Sequence, residues 1–412
     1  MRRAFGVVFH RCYIPGSMLR ITLSEPVTVA RAAPDVRGWG PFQFPGLARL
    51  PDGRIQLAFH EHDDSATAYG LQAARAVSAD EGRTWDALSL DSPDAPPGWN
   101  WQTPPLHLPN GDVLLARQLR SLPVAQVALP PEPLAIFPTH AVTHAYYRVE
   151  DLPENGRDGW RLYRKSVGHD EFVEEAAHVD LPGEVRCVTE GCLTFPWFQE
   201  MFLAPDGAVW SVNYDHRIVD GVLQEKICAK FLRSIDGGRR FELWSEITYD
   251  AAAAAITAAD KLAAQRDGFT EPSIGFLPDG SVLCLLRSSD GAGVGPSYLA
   301  RSIDGGRSWS TPEMFDDLGV WPQLLTLANG VTVASYGRPG VFVRATADSS
   351  GLHWNRRVEV LAPGVYGKDS CSYTAMLPLG NDELLLAYSN FNVADAEGRP
   401  CKALQVRRVK VA

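Results

Sequence analysis

One short phrase, repeated along the chain, constrains the fold more than any other feature. It reads Leu50-Pro51-Asp52-Gly53, Leu108-Pro109-Asn110-Gly111, Ala204-Pro205-Asp206-Gly207, Leu277-Pro278-Asp279-Gly280, Leu327-Ala328-Asn329-Gly330 and, more loosely, Leu379-Gly380-Asn381-Asp382. Asp-Gly and Asn-Gly supply the positive φ that tight hairpin turns need. The flanks RIQLAF, DVLLAR, AVWSV, SVLCLL, VTVASY and ELLLAY alternate or run apolar, as strands do. Six such hairpins predict an all-β chain, most economically a six-bladed β-propeller, with inner hairpins near 42–60, 101–119, 197–214, 270–287, 321–337 and 372–389.

A radial array also accommodates the length, because 412 residues exceed one ordinary core while a propeller grows by adding blades. Residues 18–412 are therefore expected to form a single domain, and 1–17 to be a disordered tail or a misassigned start. The strand-like MLRITL beginning at Met18 is expected to close the ring by pairing with the last blade. Residues 120–190, including the Pro-rich SLPVAQVALPPEPLAIFP, read as long connections. Residues 250–266, DAAAAAITAADKLAAQR, read as an inserted helix because alanine has the highest helix propensity.

Charge and cysteine usage narrow the function. A formal charge of −10 without a dense Lys/Arg cluster excludes nucleic acid and anionic membrane as expected partners. No apolar run approaches the roughly 20 residues needed to cross a bilayer. Seven scattered cysteines without a CxxC pair suit reduced thiols, and with no secretory signal in MRRAFGVVFHRCYIPGSM the expected compartment is the cytoplasm. His140 and His144 have helical ligand spacing but no Glu follows the first, so neither metal nor cofactor is expected.

In a hairpin, the start of the first strand and the end of the second meet on one face, so residues about sixteen apart across a tip converge. That rule selects Gln43 with His60, His62, Asp63 and Asp64; Trp101 with Gln118; Trp197 with Asn213; Glu271 with Arg287; Gln323 with Arg338; and Tyr373 with Ser389. Aromatic faces mixed with amides and charges suit a small carbohydrate.

A second repeat is Ser78-Ala79-Asp80-Glu81-Gly82-Arg83-Thr84-Trp85, with copies at Ser234–Phe241 and Ser302–Trp309 and a worn copy at Ala347–Trp354. It resembles the Asp-box, or BNR repeat, of the sialidase superfamily. The resemblance extends in blade order over nearly the whole chain. Thr270-Glu271-Pro272-Ser273 with Leu285-Leu286-Arg287 resembles the segment bearing the nucleophile-activating Glu and the second arginine of a carboxylate-binding triad. Ser335-Tyr336-Gly337-Arg338 resembles the segment of the third arginine, and Ser370-Cys371-Ser372-Tyr373 that of the nucleophilic tyrosine. The loop Glu61-His62-Asp63-Asp64 lies where that family keeps its aspartate acid/base, so either Asp63 or Asp64 is implied.

The departure is in the first blade. Where sialidases read Phe-Arg-Ile-Pro, this chain has Phe42-Gln43-Phe44-Pro45. Loss of one charge-assisted contact removes roughly 1.5–3 kcal/mol, which argues against ordinary sialic acid as substrate. The expectation is an exo-acting, retaining, sialidase-like glycoside hydrolase using Tyr373, Glu271 and Asp64 or Asp63, on an acidic or neutral terminal sugar. Arg287, Arg338, Gln43, His60, His62, Trp101, Gln118, Trp197, Asn213 and Gln323 are the expected substrate contacts. The alternatives are a glycan-binding propeller without catalysis and a uronate-directed lyase.

Overall fold

The computed structural model describes residues 19–86, 96–138, 142–257, 260–289, 293–365 and 367–412; the expected tail 1–17 and His140 lie outside them. Each repeated tip is a hairpin turn. Gly53, Gly111, Gly207, Gly280 and Gly330 take φ between 81° and 90°, and their N–H groups donate to the carbonyls of Leu50, Leu108, Ala204, Leu277 and Leu327. The sixth tip closes with Leu379 N–H on the Glu383 carbonyl.

Six antiparallel sheets follow in chain order, each opened by one of these hairpins. The first holds Gln43–Arg49, Ile55–His60 and Ala74–Ser78. The second holds Leu106–His107, Val113–Arg117, Arg161–Lys165 and Val173–Ala176, and the third Glu200–Leu203, Val209–Asp215, Cys228–Ser234 and Arg240–Ile247, with His178–Asp180 added in parallel. The fourth runs from Gly268–Phe276 to Glu313–Asp316 and the fifth from Val320–Thr326 to Val358–Leu361. The sixth holds Thr374–Pro378, Glu383–Ala394 and Pro400–Val411. As expected, the amino-terminal segment joins the last sheet: Ile21 pairs with Val411 and Val27 with Val406.

Packing connects these sheets in a cycle. Apolar clusters fill the space between successive sheets, for example Trp210, Phe231, Ile274 and Leu286 between the third and fourth. Leu57 and Phe59 of the first sheet meet Leu385 and Leu404 of the sixth, so the cycle returns to its start. The Ser-x-Asp-x-Gly turns reinforce it. Asp80 Oδ1 accepts from the N–H groups of Arg83 and Thr84 at 3.0 and 2.8 Å, and these bonds hold its carboxyl down at about 2. The turn glycines dock on a strand of the preceding sheet: Gly82 on Leu385, Gly238 on Leu114, Gly306 on Trp210 and Gly351 on Leu283.

Two expectations are corrected. The stretch 120–190 is more than connection: Leu122–Pro123, Cys192–Leu193, Val185–Thr189, Thr143–Arg148 and Ala135–Pro138 form a further five-stranded sheet. Among the described residues the inserted helix spans Ala251–Thr257, started by Asp250, whose Oδ1 accepts from Ala252 N–H and Ala253 N–H. Downstream, Asp260 forms a buried ion pair with Arg266 around a single 3-10 turn, Ala263–Gln265, which replaces continued helix.

Candidate active site

The inner strands of three sheets share a local defect near their start. Register shifts fall between Gln43 and Gly46, Thr270 and Ser273, and Val320 and Gln323. Within these bulges Phe44, Glu271 and Trp321 adopt positive φ of 55°, 47° and 45°. A bulge re-aims a side chain, and a non-glycine residue held there costs roughly 1–3 kcal/mol. All three residues line one cavity of about 220 Å³, together with Tyr373, Asp64 and His60.

Glu271 and Tyr373 are joined at its floor. The Tyr373 hydroxyl donates to Glu271 Oε1, which also accepts from Arg287 Nη1 at 2.5 Å. Glu271 Oε2 accepts from the Trp321 N–H at 2.9 Å, so the carboxylate is fixed at both oxygens. Trp321 stacks on the Tyr373 ring with centroids 4.8 Å apart, and Phe44 meets it edge-on at 4.7 Å. Burial, then the neighbouring Glu271 charge, raises the Tyr373 phenol well above its ordinary value. The phenol therefore stays protonated at neutral pH, and any nucleophilic role requires Glu271 to take its proton during attack.

Asp64 lines the same cavity. Its Oδ2 accepts from Trp39 Nε1 at 3.0 Å, while the Arg338 guanidinium lies over the Trp39 ring at 5.2 Å. Water reaches the Asp64 carboxylate, yet the crowding protein desolvates it enough to raise its pKa, against the lowering effect of the Trp39 bond. His60 stacks on Trp101, with centroids 5.7 Å apart. Burial, followed by repulsion from His62, lowers His60 to about 4, so the ring is neutral at pH 7.

Of the expected contacts, His60, Trp101, Gln118 and Trp197 line the cavity. Asp63 and His62 do not; both are exposed on the loop just before Asp64. Asn213 is buried against Gln199 N–H and Ser211, and Gln323 donates to Glu200 away from the cavity. Arg338 donates from Nη2 to the Cys371 carbonyl at 2.8 Å. His144, on the strand Thr143–Arg148 and not a helix, places Nδ1 3.3 Å from Cys187 Sγ.

Gln43 departs most from expectation. It is fully buried, and its amide oxygen accepts from Lys402 Nζ at 2.8 Å and from Gly40 N–H at 3.0 Å. Lys402 also donates to the carbonyls of Gly38 and Pro41, tying down the loop that carries Trp39. The neighbouring Phe44, not Gln43, faces the cavity. Sequence reasoning missed Phe44, Trp321, Tyr69 and Tyr214. A signal for the first two existed: Phe44, Glu271 and Trp321 each stand nine residues before the tip glycine of their hairpin, Gly53, Gly280 and Gly330.

No family model and no curated protein matches the sequence. Among solved structures, a protein of unknown function from Dyadobacter fermentans is 19% identical with a TM-score of 0.63, covering 97% of this chain and 100% of its own. An α-L-arabinanase from Penicillium chrysogenum, complexed with arabinobiose, is 15% identical with a TM-score of 0.50, covering 93% and 98%. A Hadza microbial sialidase is 13% identical with a TM-score of 0.50, covering 91% of this chain and 67% of its own. At these identities the likeness is one of fold: the all-β architecture of this chain is similar to that of the propeller arabinanase and sialidase.

Proposed function

We propose that the protein is an exo-acting, retaining glycoside hydrolase that removes one neutral terminal sugar, its six sheets being the blades of one propeller spanning residues 18–412. The observation that carries this reading is the Tyr373 hydroxyl bonded to Glu271 within a cavity that also presents Asp64. Tyrosine as nucleophile is the sialidase exception to the two-carboxylate glycosidase scheme.

In the first step the Tyr373 oxygen attacks the anomeric carbon while its proton passes to Glu271 Oε1. The glycosidic C–O bond breaks, and the departing oxygen takes a proton from Asp64, whose raised pKa suits a general acid. In the second step Asp64 removes a proton from water, which attacks the same carbon. The Tyr373 oxygen leaves and recovers its proton from Glu271, so the product keeps the substrate's anomeric configuration.

Charge supports a neutral sugar. Arg287 is bound to Glu271 and Arg338 to the Cys371 carbonyl, while Gln43 stands where the resemblance puts the first arginine and faces Lys402. Glu271 on the cavity wall neutralises Arg287, so that pair offers no net charge to an anionic substrate. At about 220 Å³ the cavity falls below the roughly 300–1,000 Å³ of sites for larger ligands, which suits a single ring.

A panel of neutral and acidic aryl glycosides tests the reading. Turnover of a neutral member, lost in Tyr373→Phe and in Glu271→Ala, is the expected result. Cleavage that survives in either variant, or an unsaturated product absorbing in the ultraviolet, overturns it.

A further inference from the structure

A second cavity of about 180 Å³ lies where the additional five-stranded sheet faces the third sheet of the cycle. Tyr146, Val185 and Cys187 line it from the former, Asp215, Lys230 and Leu232 from the latter. It meets the first cavity at Trp197, Gln199 and Tyr214, which line both. Trp197 leans on Tyr69 of the first cavity with centroids 5.5 Å apart, and Tyr214 is 37% exposed at this junction. An aromatic pair at the border of two adjoining cavities is a platform for a chain of rings that passes from one to the other.

The chemistry of the second cavity is balanced. Arg186 and Lys230 bring two positive charges, and Glu184 and Asp215 two negative ones. Arg186 Nη1 lies 2.9 Å from Glu184 Oε1, Lys230 Nζ donates to the His216 carbonyl at 2.8 Å, and Asp215 Oδ1 accepts from His216 N–H at 2.7 Å. Burial raises the Cys187 thiol to about 12, which keeps it neutral and unreactive. Around these fixed dipoles stand the apolar faces of Tyr146, Trp160 and Phe195. Aromatic walls with compensated charge suit a neutral sugar ring and give no net attraction to an anion.

We infer that this cavity binds the sugar residue on the leaving-group side of the scissile bond, so that the substrate is a neutral glycan of at least two residues. The assignment of that side rests on the hydrolase reading above; the binding of a second ring does not. The strands Thr143–Arg148 and Val185–Thr189 of the additional sheet then help select the penultimate sugar, while the first cavity selects the terminal one.

The test is calorimetric titration of Tyr373→Phe, which is expected to hold intact substrate, with neutral disaccharides and their terminal monosaccharides. At least one disaccharide is expected to bind tenfold or more tightly than its monosaccharide. Filling the second cavity by Thr194→Trp, or from another part of its wall by Leu181→Trp, is expected to bring that ratio toward one, with far-ultraviolet circular dichroism confirming that each variant folds. If no disaccharide in the panel gains over its monosaccharide, or if the gain survives in a folded filled variant, the inference is overturned. Should the gain and its loss be seen while the parent protein cleaves no glycoside, the second binding site stands and the hydrolase reading fails. Cleavage of aryl monoglycosides without any disaccharide gain is the converse result: the hydrolase reading stands and the second site is rejected.

Discussion

At the scale of single residues, Asp64 and Gln43 carry the sharpest expectations. Asp64 is held by Trp39 and its pKa is raised by desolvation, which suits the proposed task of protonating the leaving oxygen. Asp64→Asn is expected to lower kcat/KM by about 10²–10⁴ on glycosides with poor leaving groups. On activated aryl glycosides, whose leaving groups need no proton, the loss should be much smaller; equal losses across a leaving-group series contradict the role. Gln43 shows where a family pattern misleads. Matching Phe42-Gln43-Phe44-Pro45 to a sialidase segment points Gln43 at the substrate, but the spacing from the tip glycine brings Phe44 to the cavity. Gln43→Arg would place a second cation against the buried Lys402 ammonium. It should therefore destabilise the protein by roughly 3 kcal/mol or more in denaturant titration and bring no sialoside cleavage.

At the scale of elements, what could be read from the sequence is what local turn chemistry dictates. Asp-Gly and Asn-Gly fix a hairpin wherever they fall, and Ser78, Asp80 and Gly82 form their turn through bonds spanning four residues or fewer. Pairing over long separations leaves no such mark. Leu122–Pro123 bonds to Cys192–Leu193 across the whole insertion, and strands of two residues show no periodicity. The alanine-rich stretch misled for the same reason: propensity favours helix throughout, but the Asp260 to Arg266 ion pair favours a tight turn. The docking turns are testable. A Cβ at Gly306, where φ is +76°, would fall 2.2 Å from the Trp210 ring. Gly306→Ala should cost about 2–4 kcal/mol from strain and overpacking, whereas Gly305→Ala, with open space around it, should be milder. Equal losses in urea titration would show that docking between sheets is not the cause.

At the scale of the whole molecule, two buried groups on the inner strands set opposing pH dependences. His60 is lowered from 6.5 to about 4 by burial, so the unfolded chain binds more protons in that interval and stability falls as pH drops through it. Glu200, buried with only Oε1 bonded, is raised from 4.5 to about 7 by burial. There the folded chain binds more protons, and stability falls as pH rises from 4.5 through 7. Each contribution is on the order of 3 kcal/mol, taking about 1.4 kcal/mol per pKa unit. Relative to the parent, Glu200→Gln should gain stability as pH is raised from 5 to 7.5, and His60→Asn should gain it as pH is lowered from 6.5 to 4.5. Parallel pH profiles for parent and variants would show that neither group titrates as its burial implies.

The central claim is that Tyr373, relieved of its proton by Glu271, forms the bond to sugar. Once a cleaved glycoside is identified, its 2-fluoro glycosyl fluoride slows the second step more than the first and lets the intermediate accumulate. Peptide mapping by mass spectrometry should then find one sugar on Tyr373, and none in Glu271→Ala treated alike. A sugar carried by any other residue would contradict the account.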